Sequence, residues 1–186
     1  MNKKHLSFSN IIFALFIVAL IIPKTRIALQ VAINKAKVFV MSPSKLKEEE
    51  QTQLQSFQYQ LTSLEGNQSE INVGQGEVTF ISYWATWCPP CIAEMPGIVK
   101  LYEDYGSKIN FLLLTNENSE KVKAFLRKKG YDLPVYNPNM PSPELLQSHN
   151  IPTNYIIDKT GKIIIKEVGA VDWNSNKIRE IIDNAL

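Results

Sequence analysis

The motif Cys-Pro-Pro-Cys constrains the fold of this chain more than any other feature of the sequence. It holds the only two cysteines among 186 residues, Cys88 and Cys91. The run before it, residues 77–87, is rich in β-branched and aromatic side chains, which predicts a buried strand. A strand that leads directly into Cys-x-x-Cys at the start of a helix is typical of a redox site within a β-α-β unit.

A cysteine pair can also be a metal clip or a structural staple. A structural zinc site takes four ligands, usually as two spaced pairs, whereas this chain adds only His5 and His149 to its cysteines. A disulfide that closes so short a loop restrains little chain entropy, so it is a weak staple. We therefore interpret the pair as a dithiol that opens and closes, with no metal and no cofactor in the site.

Length and charge narrow the choice of partners. A chain of 186 residues can form one domain of ordinary size and an appendage. The formal net charge is only +2. Because the basic residues form no stripe with interleaved aromatics, we expect no nucleic acid partner.

Residues 1–23 are predicted to be a membrane anchor. Residues 6–22 are mostly apolar, and their number is near the short end of the ~17–25 residues that span a bilayer. The stretch is also similar to a signal-peptide core, but no small-x-small cleavage site follows it, so an anchor is favoured over a cleaved signal or a buried helix. Counting basic residues on its two sides would keep the domain in the cytoplasm, but large domains translocate against such a bias.

The rest of the chain divides into a spacer and a domain. Residues 24–57 are interpreted as a juxtamembrane spacer, because residues 44–57 are polar and helix-prone without an apolar stripe, as in a solvated helical stalk. Residues 58–186 are predicted to form one globular domain.

The first half of the domain has the predicted order β-α-β-α. The helix that contains Cys91 ends at Gly106. The near-continuous apolar run 109–115 predicts a central parallel strand that is covered on both faces. A second helix begins at Asn118 or Ser119, either of which can cap it.

The second half is predicted to contain a short helix, two strands and a last helix. The short helix, residues 144–149, takes Ser142 as its N-cap. A strand led by Pro152 follows, and the turn at residues 158–161 leads to an antiparallel return strand. The apolar face of the last helix is formed by Ile178, Ile181, Ile182 and Ala185.

The predicted position of the two cysteines favours a thiolate. Cys88 stands at the helix N-terminus, where unpaired N–H groups and the macrodipole lower a thiol pKa below ~8.5. Neither Pro89 nor Pro90 has an N–H, so the anion depends on later amides, including that of Cys91. We expect a less stabilised thiolate than in the strong oxidants, which favours a reductant.

These motifs together resemble one family. Residues 59–186 are similar to the membrane-tethered TlpA/ResA-like thiol-disulfide oxidoreductases, on the basis of YWATWCPPC at 83–91, Pro96, IPT at 151–153 and the turn at 158–161. The resemblance implies a thioredoxin fold, an α/β domain with a central mixed sheet flanked by helices. It also implies a single-pass anchor in the cell (inner) membrane, an extracytoplasmic or periplasmic domain, and a cis Ile151–Pro152 bond that faces the cysteines.

The resemblance further assigns roles to residues. Cys88 would attack a disulfide of an extracytoplasmic protein, and Cys91, the deeper and less exposed thiol, would resolve the mixed disulfide and release the reduced substrate. Because the domain leaves each cycle oxidised, an upstream thiol electron donor in the membrane or envelope is implied. Cytochrome c maturation is one of the roles known in this family. The substrate-binding residues of the cleft would be Trp87, Ile151, Pro152 and Thr153.

Glu94, one turn beyond Cys91, has two interpretations. It can be an acidic residue that complements the positive end of the helix. Alternatively, it can accept the proton of Cys91 during resolution, and ResA-like proteins are similar to this chain in having Glu there. Trp84 and Trp87 are interpreted mainly as core and as a wall of the site.

Two other functions are open to a chain of this kind, and a third is discounted. A disulfide oxidase or isomerase uses the same chemistry with a different electron flow. A copper carrier would combine the two thiolates with His149. A peroxiredoxin needs Pro seven residues and Thr or Ser three residues before the attacking cysteine, and Ile81 and Ala85 stand there instead.

Overall fold

Two helices precede the globular domain. In the computed structural model, which describes residues 8–186, α1 (Phe8–Ile21) and α2 (Pro23–Val40) meet at a bend of 96°. Within that range no single helix combines the length and the apolarity needed to cross a membrane, and α1 and α2 satisfy both requirements only as a bent pair. Residues 1–7, which contain the start of the predicted anchor and His5, lie outside the described residues.

Eight strands in the described part of the chain form one mixed sheet. They are β1 (Thr52–Gln53), β2 (Phe57–Ser63), β3 (Gln68–Val73), β4 (Thr79–Tyr83), β5 (Asn110–Leu114), β6 (Val135–Pro138), β7 (Thr153–Ile157) and β8 (Lys162–Val168). Their order across the sheet is β1-β8-β7-β4-β5-β6-β2-β3. The central strands β4, β5 and β6 run parallel, whereas the flanking pairs are antiparallel.

Three helices pack on one face of this sheet. They are α3 (Pro89–Tyr105), α4 (Ser119–Lys129) and α5 (Asn176–Asp183). Asn118 caps α4, because its side chain accepts hydrogen bonds from the backbone N–H groups of Glu120 and Lys121. The buried side chains that these helices share in one core cluster include Ile98, Leu101, Val122, Leu126, Ile178 and Ile182.

The other face of the sheet is covered by irregular segments. Ile81, Leu112 and Tyr155 project from the central strands into a second buried cluster. Leu54, between two strands, and Leu146, at the end of a 3-10 turn, complete that cluster. Burying a leucine side chain contributes about 1.5–3 kcal/mol, so these two short segments are structural parts of the domain.

The strand register places two loops at one end of the sheet. Tyr83, the last residue of β4, pairs with Thr153, the first residue of the antiparallel strand β7. The loop that leaves β4 leads to Cys88, and the loop that enters β7 contains Pro152. This pairing makes the cysteine loop and the Pro152 loop, the two predicted parts of the site, neighbours in space.

The prediction of a solvated helical stalk at residues 44–57 is wrong. That segment contains one short 3-10 turn and then β1, which pairs with β8 at the edge of the sheet. Leu46 donates its backbone N–H to the Ile164 carbonyl at 2.8 Å, and Leu54 donates to Gly161 at 2.8 Å. The sheet therefore begins before residue 58, where the sequence pattern placed the start of the domain.

The remaining predicted elements differ in detail. The strand predicted at residues 77–87 is confirmed but is limited to β4, and the short helix is a 3-10 turn over Glu144–Leu146. Ser142 does not cap that turn; its hydroxyl lies 2.7 Å from the Tyr59 hydroxyl and accepts a bond from Tyr83 at 2.8 Å. Strands β2, β3 and β6 were not predicted.

Candidate active site

Cys88 and Cys91 stand at the N-terminus of α3 and form a disulfide. Cys88 is the N-cap residue, and Pro89 and Pro90 are the first two residues of the helix. The two sulfur atoms are bonded at 2.10 Å. Proline is tolerated at the start of a helix because the N–H groups there have no intrahelical acceptor.

One backbone amide reaches the Cys88 sulfur. The Cys91 N–H donates to Cys88 Sγ at 3.2 Å, and this is the amide that the sequence indicated as a donor beyond the two prolines. The Ile151 carbonyl oxygen lies 3.7 Å from the same sulfur. The Ile151–Pro152 bond is cis, which confirms the geometry implied by the family resemblance, and its loop faces the cysteines.

Both sulfur-bearing side chains are buried in the disulfide state. Cys88 is 3% exposed and Cys91 is fully buried. The expected exposed first thiol is therefore absent from this oxidised state. Trp87 is 59% exposed beside them, so the surface that an approaching protein meets includes this indole.

Glu94 is a buried carboxyl group with three hydrogen-bond donors. Asn154 Nδ2 donates to Oε1 at 2.9 Å, while the Val171 N–H and Trp173 Nε1 donate to Oε2 at 3.3 and 3.2 Å. Only 1% of the residue is exposed. Glu94 is therefore held inside the domain by these three donors and is shielded from solvent.

Burial is the main cause of the raised pKa of the Glu94 carboxyl group. Desolvation raises the pKa of its carboxyl group to about 8, although the bonds from Asn154, Val171 and Trp173 act to lower it. A carboxyl group with this pKa changes charge close to the ordinary thiol range of ~8.5. Matched pKa values favour proton transfer between two groups, so Glu94 has the acidity required of a proton acceptor for a thiol.

A second carboxylate holds the loop between β4 and the cysteines. Glu117 accepts the Thr86 N–H at 2.5 Å and the Thr86 hydroxyl at 3.0 Å, and it pairs with Lys121. Burial acts to raise the pKa of Glu117, but the bonds from Lys121 and Thr86 outweigh it, so the pKa lies below its usual value. Charged Glu117 therefore fixes the residue directly before Trp87.

A cavity of about 760 Å³ opens next to the disulfide. Its lining includes Trp87, the neighbour of Cys88 in the chain, and Ile151, whose carbonyl lies beside the Cys88 sulfur, together with Glu117, Met140 and His149. Trp84 is 3% exposed and packs against Phe125 with ring centroids 5.7 Å apart, which confirms its predicted core role.

The predicted site residues meet at one end of the sheet. Cys88, Cys91, Trp87 and the loop of Ile151 and Pro152 lie together, whereas Thr153 is buried and uses its hydroxyl to donate to the Asn150 carbonyl at 2.8 Å. Within residues 8–186 no group of three or more His, Cys, Asp or Glu side chains is arranged to hold a metal ion.

Three residues of the site were missed at the sequence level. Asn154 and Trp173 hold Glu94, and Glu117 holds Thr86. Asn154 directly follows the IPT motif, so its position was a usable signal. Trp173 and Glu117 lie in loops without a motif, and nothing in the local sequence distinguishes them.

A redox-active cysteine pair at a helix N-terminus, beside a cis-proline loop and at the end of a mixed sheet, defines a thioredoxin-like thiol-disulfide oxidoreductase. The comparisons with known proteins agree with this class. The Redoxin family model matches residues 49–185, and the chain belongs to that family. Thiol-disulfide oxidoreductase ResA from Bacillus cereus is 31% identical over 128 residues, which cover 66% of this chain and 73% of the relative.

Solved structures show the same fold. A candidate thiol-disulfide oxidoreductase from Bacteroides vulgatus is 30% identical, with a TM-score of 0.55 over 70% of this chain and 94% of that chain. StoA from Bacillus subtilis is 22% identical, with a TM-score of 0.51 over 66% of this chain and 95% of that chain. At 22% sequence identity, the similarity to StoA concerns the fold alone.

Proposed function

We propose that this oxidoreductase reduces disulfides of extracytoplasmic proteins, with Cys88 as the attacking thiol and Cys91 as the resolving thiol. The observation that carries the proposal is the position of Cys88 as the N-cap of α3, with one amide donor on its sulfur. Helix N-termini stabilise thiolates, which are the nucleophiles in thiol-disulfide exchange.

The proposed cycle is balanced in bonds and electrons. The Cys88 thiolate attacks one sulfur of the substrate, so that the substrate disulfide breaks as a mixed disulfide forms and one substrate thiolate leaves. Glu94 in its ionised form then takes the proton of Cys91, and the Cys91 thiolate attacks Cys88, which breaks the mixed disulfide and releases the second substrate thiolate. The protein keeps the disulfide, and a thiol donor in the membrane or envelope returns two electrons and two protons.

The substrate chain is proposed to lie across Trp87 and the cis-proline loop. Trp87 is exposed, and the Ile151 carbonyl next to the Cys88 sulfur can accept a hydrogen bond from an extended backbone. Thr153 supports this loop through its bond to the Asn150 carbonyl, so we assign it a positioning role.

The proposed direction of electron flow rests on Pro89 and Pro90. They remove two N–H groups from the first turn of α3, so the Cys88 thiolate receives less stabilisation than in a strong oxidant. We expect a reduction potential nearer the thioredoxin value of about −270 mV than the strong-oxidant value of about −120 mV. Equilibration of the protein with glutathione buffers measures it, and a value near the strong-oxidant end would make the protein an oxidase or isomerase instead.

The proposed location is the outer side of the cell membrane, with residues 1–23 as an uncleaved anchor. The apolar composition of α1 supports an anchor, because none of its residues is charged. The full chain should then stay with membranes after a carbonate wash and be digestible by protease from the extracytoplasmic side. Release by carbonate would exclude the anchor, and protection from protease would place the domain in the cytoplasm.

A further inference from the structure

Helix α2 has two faces of different character. Val31, Asn34 and Val38 recur at the spacing of one helix face and are half-buried, and α2 packs along α3. The other residues of α2 are exposed. The half-buried face is therefore the one that is turned toward the domain.

A second apolar stripe runs along the opposite side of α2. Leu29, Ile33, Ala36 and Val40 recur at i, i+4, i+7 and i+11, which places them on one face. Ile33 is 61% exposed and Val40 is 81% exposed. A helix whose first apolar face is already used by its own domain has no structural need for a second one in water.

The end of α2 is held by the domain. The Asp172 N–H donates to the Met41 carbonyl at 2.7 Å, and the Ser44 N–H donates to Glu167 Oε1 at 3.0 Å. These bonds attach the segment after α2 to β8 and to the loop that follows it. The orientation of the stripe relative to the active-site helix is therefore defined.

Charge indicates what covers the stripe. The segment before Glu48 contains no acidic residue, although the chain has 18 of them. Of the basic side chains on α2, Arg26 and Lys37 border the stripe, whereas Lys24 and Lys35 lie nearer the face that is turned toward the domain. An apolar stripe bordered by cations is typical of helices that lie in the headgroup layer of an anionic bilayer.

We infer that α2 lies in the plane of the membrane surface, with Leu29, Ile33, Ala36 and Val40 in the headgroup layer. This inference rests on the proposed anchor. With α1 along the bilayer normal, a bend of 96° directs α2 parallel to the surface. Because α2 packs along α3, the cysteines at the start of α3 are then kept close to the membrane. The substrates and thiol donors that they reach most readily are those exposed at the membrane surface.

The test uses the full chain with Cys88→Ser and Cys91→Ser, so that one introduced cysteine is the only thiol. Ala36→Cys lies on the stripe, and Ala28→Cys is its matched control, because both alanines are exposed and the control lies about 80° away around the helix. Each carries a fluorophore in vesicles of phosphatidylcholine and phosphatidylglycerol. Quenching is measured with a lipid-borne nitroxide and with aqueous iodide.

We expect the lipid-borne quencher to act at least about twofold more strongly on position 36 than on position 28, and iodide to show the reverse order. Three outcomes would show that the inference is wrong. Position 36 could be as accessible to iodide as position 28, or a protein could shield it from both quenchers. Alternatively, the lipid-borne quencher could act equally on both positions because α2 is inserted in the bilayer. In these three outcomes the chain stays with the vesicles after a carbonate wash. Release of the chain would instead overturn the proposed anchor, and the inference with it.

Discussion

At the scale of single residues, Glu94 is the most informative group outside the cysteines. Its carboxyl group is buried among Asn154, Val171 and Trp173, and its pKa is raised to about 8 from an ordinary value of 4.5. Between these two values the folded protein binds a proton that the unfolded chain has released. Stability contributed by the neutral carboxyl group is therefore full below pH 4.5 and is lost as the pH rises through 8.

Glu94→Gln removes this titration and should flatten the pH dependence of stability. Each tenfold change in an acid dissociation constant corresponds to about 1.4 kcal/mol, so the wild type should show a measurable fall in the free energy of unfolding between pH 5 and 8. Denaturant unfolding of the oxidised protein at several pH values measures the slope. Glu103→Gln, at an exposed glutamate on the same helix, is the control. Equal slopes in wild type and Glu94→Gln would contradict the assigned pKa.

Glu94→Gln also tests the proposed proton transfer. The variant should slow the release of mixed disulfides by Cys91 while the first attack by Cys88 continues, because only the resolving step needs the acceptor. Stopped-flow kinetics with a small aromatic disulfide separate the two steps. Unchanged resolution in the variant would restrict Glu94 to a structural role.

Thr86 and Glu117 define a second test at this scale. Glu117→Ala leaves the Thr86 N–H and hydroxyl without their acceptor, which should lower the free energy of unfolding by about 1–3 kcal/mol. Lys121→Met removes only a partly exposed ion pair and should cost about 0–1 kcal/mol. Denaturant titration of both variants provides the comparison, and equal losses would show that the bonds to Thr86 contribute nothing.

At the scale of elements, the N-terminal segment belongs to the domain. Leu54, between β1 and β2, is 3% exposed and packs in the cluster on the helix-free face. Leu54→Ala should therefore lower the free energy of unfolding by about 2–5 kcal/mol. Leu145→Ala, at a leucine that is 41% exposed, is the matched control and should change it by less than about 0.5 kcal/mol. A similarly small loss of unfolding free energy at both positions would show that residues 44–57 act only as a spacer.

The elements that the sequence predicted well are those with a strong local pattern. The apolar run of β5 and the capped, amphipathic α4 needed only neighbouring residues to be recognised. The alternation in FQYQL, where Tyr59 and Leu61 are buried, was a usable signal for β2 that was overlooked. In contrast, β1 has two residues and β6 ends at Pro138, so both depend on distant strands for their pairing.

The residues of the candidate site also divide into those with a distinctive local sequence pattern and those without one. The motifs identified Cys88, Cys91 and Pro152 because their spacing and neighbours are distinctive. The burial of Glu94 could not be predicted, since its three donors are 60, 77 and 79 positions away in the chain. Tertiary packing alone brings them to the carboxyl group.

At the scale of the whole molecule, one sheet links the redox site to the N-terminal helices. The register of β4 and β7 brings the cysteine loop and the cis-proline loop together. Helix α3 begins at the disulfide and is also the packing partner of α2. In the proposed membrane arrangement the N-terminal helices determine where the active site is presented, whereas the sheet determines its geometry.

The central claim is that Cys88 attacks and Cys91 resolves, and trapping in the full-length protein tests it most directly. Cys91→Ser should accumulate mixed disulfides with substrate proteins, because the thiol that would release them is missing. Cys88→Ser should accumulate none. Non-reducing electrophoresis of acid-quenched cells, before and after addition of a reductant, measures both variants. Mixed disulfides in Cys91→Ser alone are the predicted result, and mixed disulfides in Cys88→Ser, or equal amounts in both variants, would contradict the account.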